Sequence, residues 1–156
     1  MEKHPIFEAL RHSTDACACT TLRKATRVAA QLYDRHLEPS GLTTAQFSLL
    51  AALYYAQSIP MKRLAARLAM ERTSLTRILA PLEKKGFVEI KVSAEDARVR
   101  MVTITALGLE RLISALPLWQ EAQAKMEKEL GKAGWDQLRS SLQQAVAAAR
   151  AAGSTL

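Results

Sequence analysis

No apolar run in the chain approaches the roughly 20 residues that a membrane-spanning helix requires. The first ten residues carry Glu2, Lys3, His4 and Glu8 and lack the apolar core of a secretory signal. The expected location is therefore the cytoplasm, with no membrane partner. Cysteine is scarce: Cys17 and Cys19 are too few and too close in sequence to form a disulfide framework. Aromatic residues make up only 5% of the chain, so aliphatic side chains must dominate its core. There is no Gly-rich phosphate loop, no H-E-x-x-H and no G-x-S-x-G, and Glu83 and Glu89 have no evident cleft between them. An enzyme is not expected, and neither is a cofactor. The spacing of His4, His12, Cys17 and Cys19 matches no usual zinc pattern, so no metal is expected either.

What is present is helical periodicity, one change of period and an excess of positive charge. Ser13 to Leu37 reads as a helix, with Leu22, Ala25, Ala29 and Leu32 on one face. His36, near its end, suits the negative pole of the helix dipole. Pro39, Ser40 and Gly41 break the pattern. Thr43 and Gln46 then form a capping box for a helix ending near Tyr55. Gln57 to Pro60 reads as a connector, with Pro60 suited to the first turn of a short helix from Met61 to about Leu68. A further helix runs from Arg72 to Lys85, with Leu75, Ile78, Leu79 and Leu82 as its apolar stripe and Gly86 just past its end. Pro81 inside it removes the amide that would bond to the Arg77 carbonyl and is expected to bend the helix there.

The period then becomes two. Val88, Ile90 and Val92 alternate, as do Val102 and Ile104, which predicts a β-hairpin with a wide polar loop. Thr105 caps a long helix whose Leu109, Leu112, Leu116, Trp119, Met126 and Leu130 hold a heptad register, with Gln123 its one polar slot. Gly131 and Gly134 mark a break, and a last helix runs from Trp135 to about Ala152. The predicted fold is mainly α with a small β-hairpin wing. It is a winged helix-turn-helix domain over residues 43–105, flanked by helical dimerisation segments at 10–38 and 106–152.

The chain carries a net charge of +7, which favours polyanionic partners. Between Met61 and Arg100, ten basic residues (Lys62, Arg63, Arg67, Arg72, Arg77, Lys84, Lys85, Lys91, Arg98 and Arg100) face five acids, so this segment holds +5 of the total. Such charge on one helix alone would read as a solvated face. Helix order, hairpin and charge coincide here, and together they point to double-stranded DNA.

Leu42-Thr43, Gln46-Phe47, Leu64-Ala65, Leu68, Ser74, Thr76-Arg77, Leu82-Glu83 and Lys85-Gly86-Phe87-Val88 occur in an order that resembles the MarR family of bacterial transcription regulators. Asp96, Arg98, Val102, Thr105 and Gly108 continue the match. The resemblance implies a homodimer built from the first and last helices, on a palindromic operator, with a recognition helix in the major groove and a wing in the minor groove. It also implies release from DNA by a small ligand or an oxidant. Mapped onto this sequence, Arg72, Thr73, Ser74, Thr76 and Arg77 supply the groove-facing end of the recognition helix, because they lie off its apolar stripe. Arg77 is the leading candidate for a base or phosphate contact, since its planar fork matches guanine. Arg98 and Arg100 are the wing contacts, drawn to a narrow minor groove. Asp96 orients Arg98 or Arg77, because a carboxylate facing phosphate would be repelled. Ala97 stands where the family often has Arg, which leaves this wing one charge fewer.

For the effector, the expectation is a repressor released by a small aromatic or CoA-like ligand in the dimer cleft. The alternative is a thiol-based peroxide sensor using Cys19. That residue sits as far before Gly41-Leu42-Thr43 as the reactive cysteine of the family's peroxide-sensing branch, and Tyr33 matches that branch's hydrogen-bonding tyrosine. Cys19 and Tyr33 are 14 residues apart, about 21 Å of helix, so they could meet only across a dimer. The branch's other tyrosine falls at Arg23, a cation able to lower a thiol pKa. Cys17 and Cys19 point about 200° apart around a helix, so bridging them requires unwinding. A third reading, a helical dimerisation adaptor that binds no DNA, leaves the basic residues from Arg72 to Arg100 without a role.

Overall fold

The computed structural model describes residues 16–153 together with the isolated positions Ile6 and Leu10. The expected helix start at Ser13, and His4 and His12, lie outside the described residues. Helix α1 spans Ala18–Leu37 and ends in a 3-10 turn, Glu38–Ser40, whose tight reversal is completed by Gly41 at φ 67°. Helix α2 (Thr44–Ala56) opens on the expected capping box. The Thr43 hydroxyl accepts from the Gln46 amide, and the Gln46 side chain accepts from the Thr43 amide. Asp34 ties α1 to this point, because its carboxylate accepts from both the amide and the hydroxyl of Thr44 at 2.6 Å.

Strand β1 (Ser58–Pro60) occupies the segment expected to be a plain connector. It pairs antiparallel with β3 (Arg100–Ile104), which in turn pairs with β2 (Val88–Val92), so the sheet order is β1-β3-β2. Val102 lies at its centre, fully buried between Ile59 and Ile90. The wing is thus a hairpin anchored by a third strand.

Between β1 and β2 come α3 (Met61–Arg67) and α4 (Arg72–Lys84). Leu64, Leu75, Leu79 and Leu82 bury completely or nearly so. Each such side chain contributes about 1.5–3 kcal/mol relative to an exposed one. Helix α4 runs through Pro81 as one element and stops at Lys85 and Gly86, with Gly86 at φ 72°.

Helix α5 (Ala106–Gly153) holds both of the expected C-terminal helices, interrupted at Gly131 (φ 68°, ψ 163°) alone rather than at Gly131 and Gly134. Thr105 caps it, accepting from the Gly108 amide. Within the single chain the expected heptad of α5 is covered only in part. Gly108, Leu112, Ala115 and Ala122 are buried, with Trp119 and Met126 half-buried, whereas Leu116 and Leu130 are exposed. Small residues on this stripe let neighbouring helices approach closely, and bulk alone does not tell which side of a helix faces inward. Trp119 stacks on Phe47 of α2 at 5.8 Å and lies 6.5 Å from Tyr33 of α1, joining three helices with few aromatics.

Candidate nucleic-acid interface

Helices α3 and α4 are joined by a tight turn in which Ala69 takes a left-handed φ of 51° and the Met70 amide donates to the Ala65 carbonyl. No side chain caps the start of α4, and its first turn carries no acid. The free amides there favour an anion. Thr73, Ser74, Thr76 and Arg77 are all exposed along this end of the helix. The Thr76 hydroxyl donates back to the Arg72 carbonyl at 2.9 Å, which leaves its methyl group and lone pair for an outside partner.

Between α3, the start of α4 and the wing lies a cleft of about 710 Å³. Arg72, Arg98 and Arg100 line it together with Lys62 and Arg63, and no acid does. The fold therefore gathers five cations from three elements around one channel, with Arg77 further along the exposed face of α4. Lys62 and Arg63 were visible in the sequence only as part of a basic stretch. Their place in the channel depends on how β1 sets the start of α3 against β3, which no local pattern encodes.

The wing loop is organised by Asp96. Its carboxylate accepts from the Arg98 amide at 2.9 Å, from Nε at 3.1 Å and from an Nη at 3.2 Å. The Arg98 side chain and then its amide hold the Asp96 carboxyl below the ordinary value of 3.8. Arg98 itself is 90% exposed, so the pair aims the guanidinium outward without burying it. The expected positioning role of Asp96 has this geometry behind it for Arg98, and Arg77 is not among the partners described for it.

The thiol-centred residues fall elsewhere. Cys19 is exposed and Cys17 half-buried, and neither is in a disulfide. The thiol drawn towards its ionised form is Cys17, because the Thr20 hydroxyl, then the amides of Thr20 and Cys19, hydrogen-bond to it. Tyr33 donates to the Gln123 carbonyl oxygen of α5 at 2.5 Å, and Gln123 donates onward to Glu127 at 2.8 Å. Burial, and then the Glu127 carboxylate, push the Tyr33 phenol up. Among the described residues no cluster of His, Cys, Asp and Glu is arranged to hold a metal ion. No described helix is long and apolar enough to cross a membrane.

A helix-turn-helix with a basic channel and a charged wing defines a winged helix DNA-binding transcription regulator. The MarR family model matches residues 42–99. The chain is 41% identical to the M. tuberculosis transcriptional regulator MosR, solved in complex with DNA, over 87% of this chain and 98% of that one, with a TM-score of 0.79. A mutant MarR from E. coli complexed with operator DNA shares the fold at 24% identity and a TM-score of 0.76, over 85% of this chain and 96% of that one. The HTH-type transcriptional regulator YdgJ of Bacillus subtilis strain 168 is 33% identical over 76 residues, 49% of this chain; the match spans about half, 46%, of YdgJ. The chain belongs to the MarR family.

Proposed function

We propose that the chain acts in the cytoplasm as a homodimeric repressor that reads a palindromic operator. The N-terminal half of α4 enters the major groove, and the wing reaches the adjacent minor groove. The observation that carries this reading is the channel in which Arg72, Arg98 and Arg100 converge with Lys62 and Arg63 without an acid among them. Five cations along a duplex supply the salt-dependent part of affinity, and the exposed face from Thr73 to Arg77 supplies base contacts.

Dimerisation follows from what α1 and the end of α5 leave uncovered. Val28 is 61% exposed and Val146 51%, with Leu22 and Leu142 also open to solvent. A partner's helices would cover these side chains, in keeping with segments 10–38 and 106–152 as the dimerisation region. Replacing both Arg77 and Arg98 by alanine should abolish operator binding while leaving the dimer intact by sedimentation. A double variant that binds DNA as well as the parent would place the contacts elsewhere and contradict this reading of the interface, and a dimeric parent without specific DNA binding would favour the adaptor.

For the effector, an apolar cavity of about 390 Å³ lies between α2 and α5, lined by Phe47, Tyr54, Tyr55, Ile113 and Trp119 among others. Its size and aromatic lining suit a small aromatic molecule. Binding there would press on α2 and α5 and so on the channel. Titrating benzoates and hydroxycinnamates against the DNA-bound protein tests this, and no release by any of them would count against it.

A thiol-sensing reading is favoured by one observation, the Thr20 contact that draws the Cys17 thiol towards thiolate at the start of α1. It makes Cys17, with Cys19 as its neighbour, the reacting centre. Unchanged DNA affinity after peroxide treatment would remove it.

A further inference from the structure

A knot of contacts joins the far end of the recognition helix to both dimerisation helices, and it has no part in touching DNA. Arg111, on α5, donates from Nη1 to the Ser40 carbonyl at 3.1 Å, and its guanidinium lies 5.5 Å from the centre of the Phe87 ring. Lys85, at the end of α4, donates to the neighbouring Gly41 carbonyl at 3.1 Å, and its ammonium lies 5.9 Å from the same ring. Phe87 is 7% exposed. Both cations are within the reach at which a ring quadrupole attracts charge. The carbonyls they hold belong to the corner that ends α1. One residue further on, the Thr105 hydroxyl donates to the Gly86 carbonyl at 2.6 Å and the Thr105 amide to the Phe87 carbonyl at 3.1 Å. The α1 corner, the end of α4 and the start of α5 thus meet at one ring.

We propose that Arg111 is a positioning residue for DNA reading. It fixes the angle at which α4 leaves the dimerisation helices and hence the half-site spacing that the dimer accepts. Recognition helices can be spaced only as firmly as they are held to the helices that form the dimer. Lys85 and Arg111 each touch both the α1 corner and the ring, and of the two Arg111 is the one carried by the long C-terminal helix α5. The residue contacts no DNA in this account, so it acts on spacing selectivity rather than on the electrostatic grip. The inference rests on the reading of the chain as a dimeric operator-binding protein.

The test uses the full chain and a duplex from immediately upstream of its own gene, narrowed by footprinting, with versions in which the half-sites stand one base pair closer or further apart. Arg111→Gln should lose about tenfold in affinity for the native spacing and bind the three duplexes nearly alike. Its salt slope should match the parent's, whereas loss of a direct phosphate contact would lower the slope by about one. Arg111→Lys, which keeps a cation over the ring, should recover part of the spacing preference. Should Arg111→Gln fail to fold, Phe87→Leu removes the ring from both cations and carries the same expectation. A folded, dimeric Arg111→Gln or Phe87→Leu with the parent's spacing preference overturns the inference, as does a parent that binds all three spacings equally. A parent that prefers none of these duplexes over scrambled DNA defeats the dimeric operator reading instead.

Discussion

Gly108 marks a tight approach between α5 and Phe87, in the segment that leads from α4 into β2. A Cβ added there would lie 2.0 Å from the Phe87 carbonyl oxygen and 3.1 Å from Cγ1 of Ile104. That carbonyl already accepts from the Thr105 amide, so it cannot retreat without breaking a bond. Gly108→Ala should therefore cost about 3 kcal/mol, the upper part of the overpacking range, by urea denaturation. Ala69 has the opposite problem. An L-residue at φ 51° costs about 1–2 kcal/mol, and glycine gives back about 0.5–1 through a freer unfolded chain. Ala69→Gly should thus stabilise the fold by about 0.5–1 kcal/mol, and a loss would contradict the left-handed turn. The wing carries a pH prediction as well. The folded-state pKa of Asp96 lies below its ordinary value of 3.8, so its contribution to wing order is fully present above that value and is lost as pH falls through the folded-state value. The Asp96 carboxyl carbon shift in NMR spectra should titrate with a midpoint below the ordinary 3.8, and a midpoint at or above that value would contradict the Arg98 contact.

At the level of elements, Pro81 sits in the tenth position of α4, where it leaves the Arg77 carbonyl without its helical partner. An interior proline costs about 3 kcal/mol, of which up to about 1 is offset by the stiffer unfolded chain. Pro81→Ala should raise stability by about 2 kcal/mol with operator affinity unchanged, since the reading face from Thr73 to Arg77 precedes it. A variant that is no more stable would mean that the helix depends on the proline.

The same elements show what a linear reading could reach. The Thr43–Gln46 box, the α4 stripe, Gly86 and the β2–β3 hairpin were legible because their causes lie within a few residues of each other. Strand β1 was not, because Ser58–Pro60 becomes a strand only by pairing with residues 101–103, far along the chain. The burial of Ala115 and Ala122 was not legible either, because side chains this small give no local sign of which way they face. Of the residues that line the basic channel, Arg72, Arg98 and Arg100 were among the sequence candidates, whereas placing Lys62 and Arg63 beside them required the assembled sheet.

At the scale of the whole molecule, three features act together. In the proposed function a basic channel grips phosphates and an exposed helix face reads bases, while the proposed dimerisation segments meet the end of α4 at Phe87. Operator reading is decided by fluorescence anisotropy with DNA from immediately upstream of the chain's own gene, against scrambled DNA, across a salt series. Binding to the upstream DNA should be tighter by about a thousandfold or more, with a steep decline in affinity as salt rises. Equal, weak binding to both duplexes would contradict operator reading.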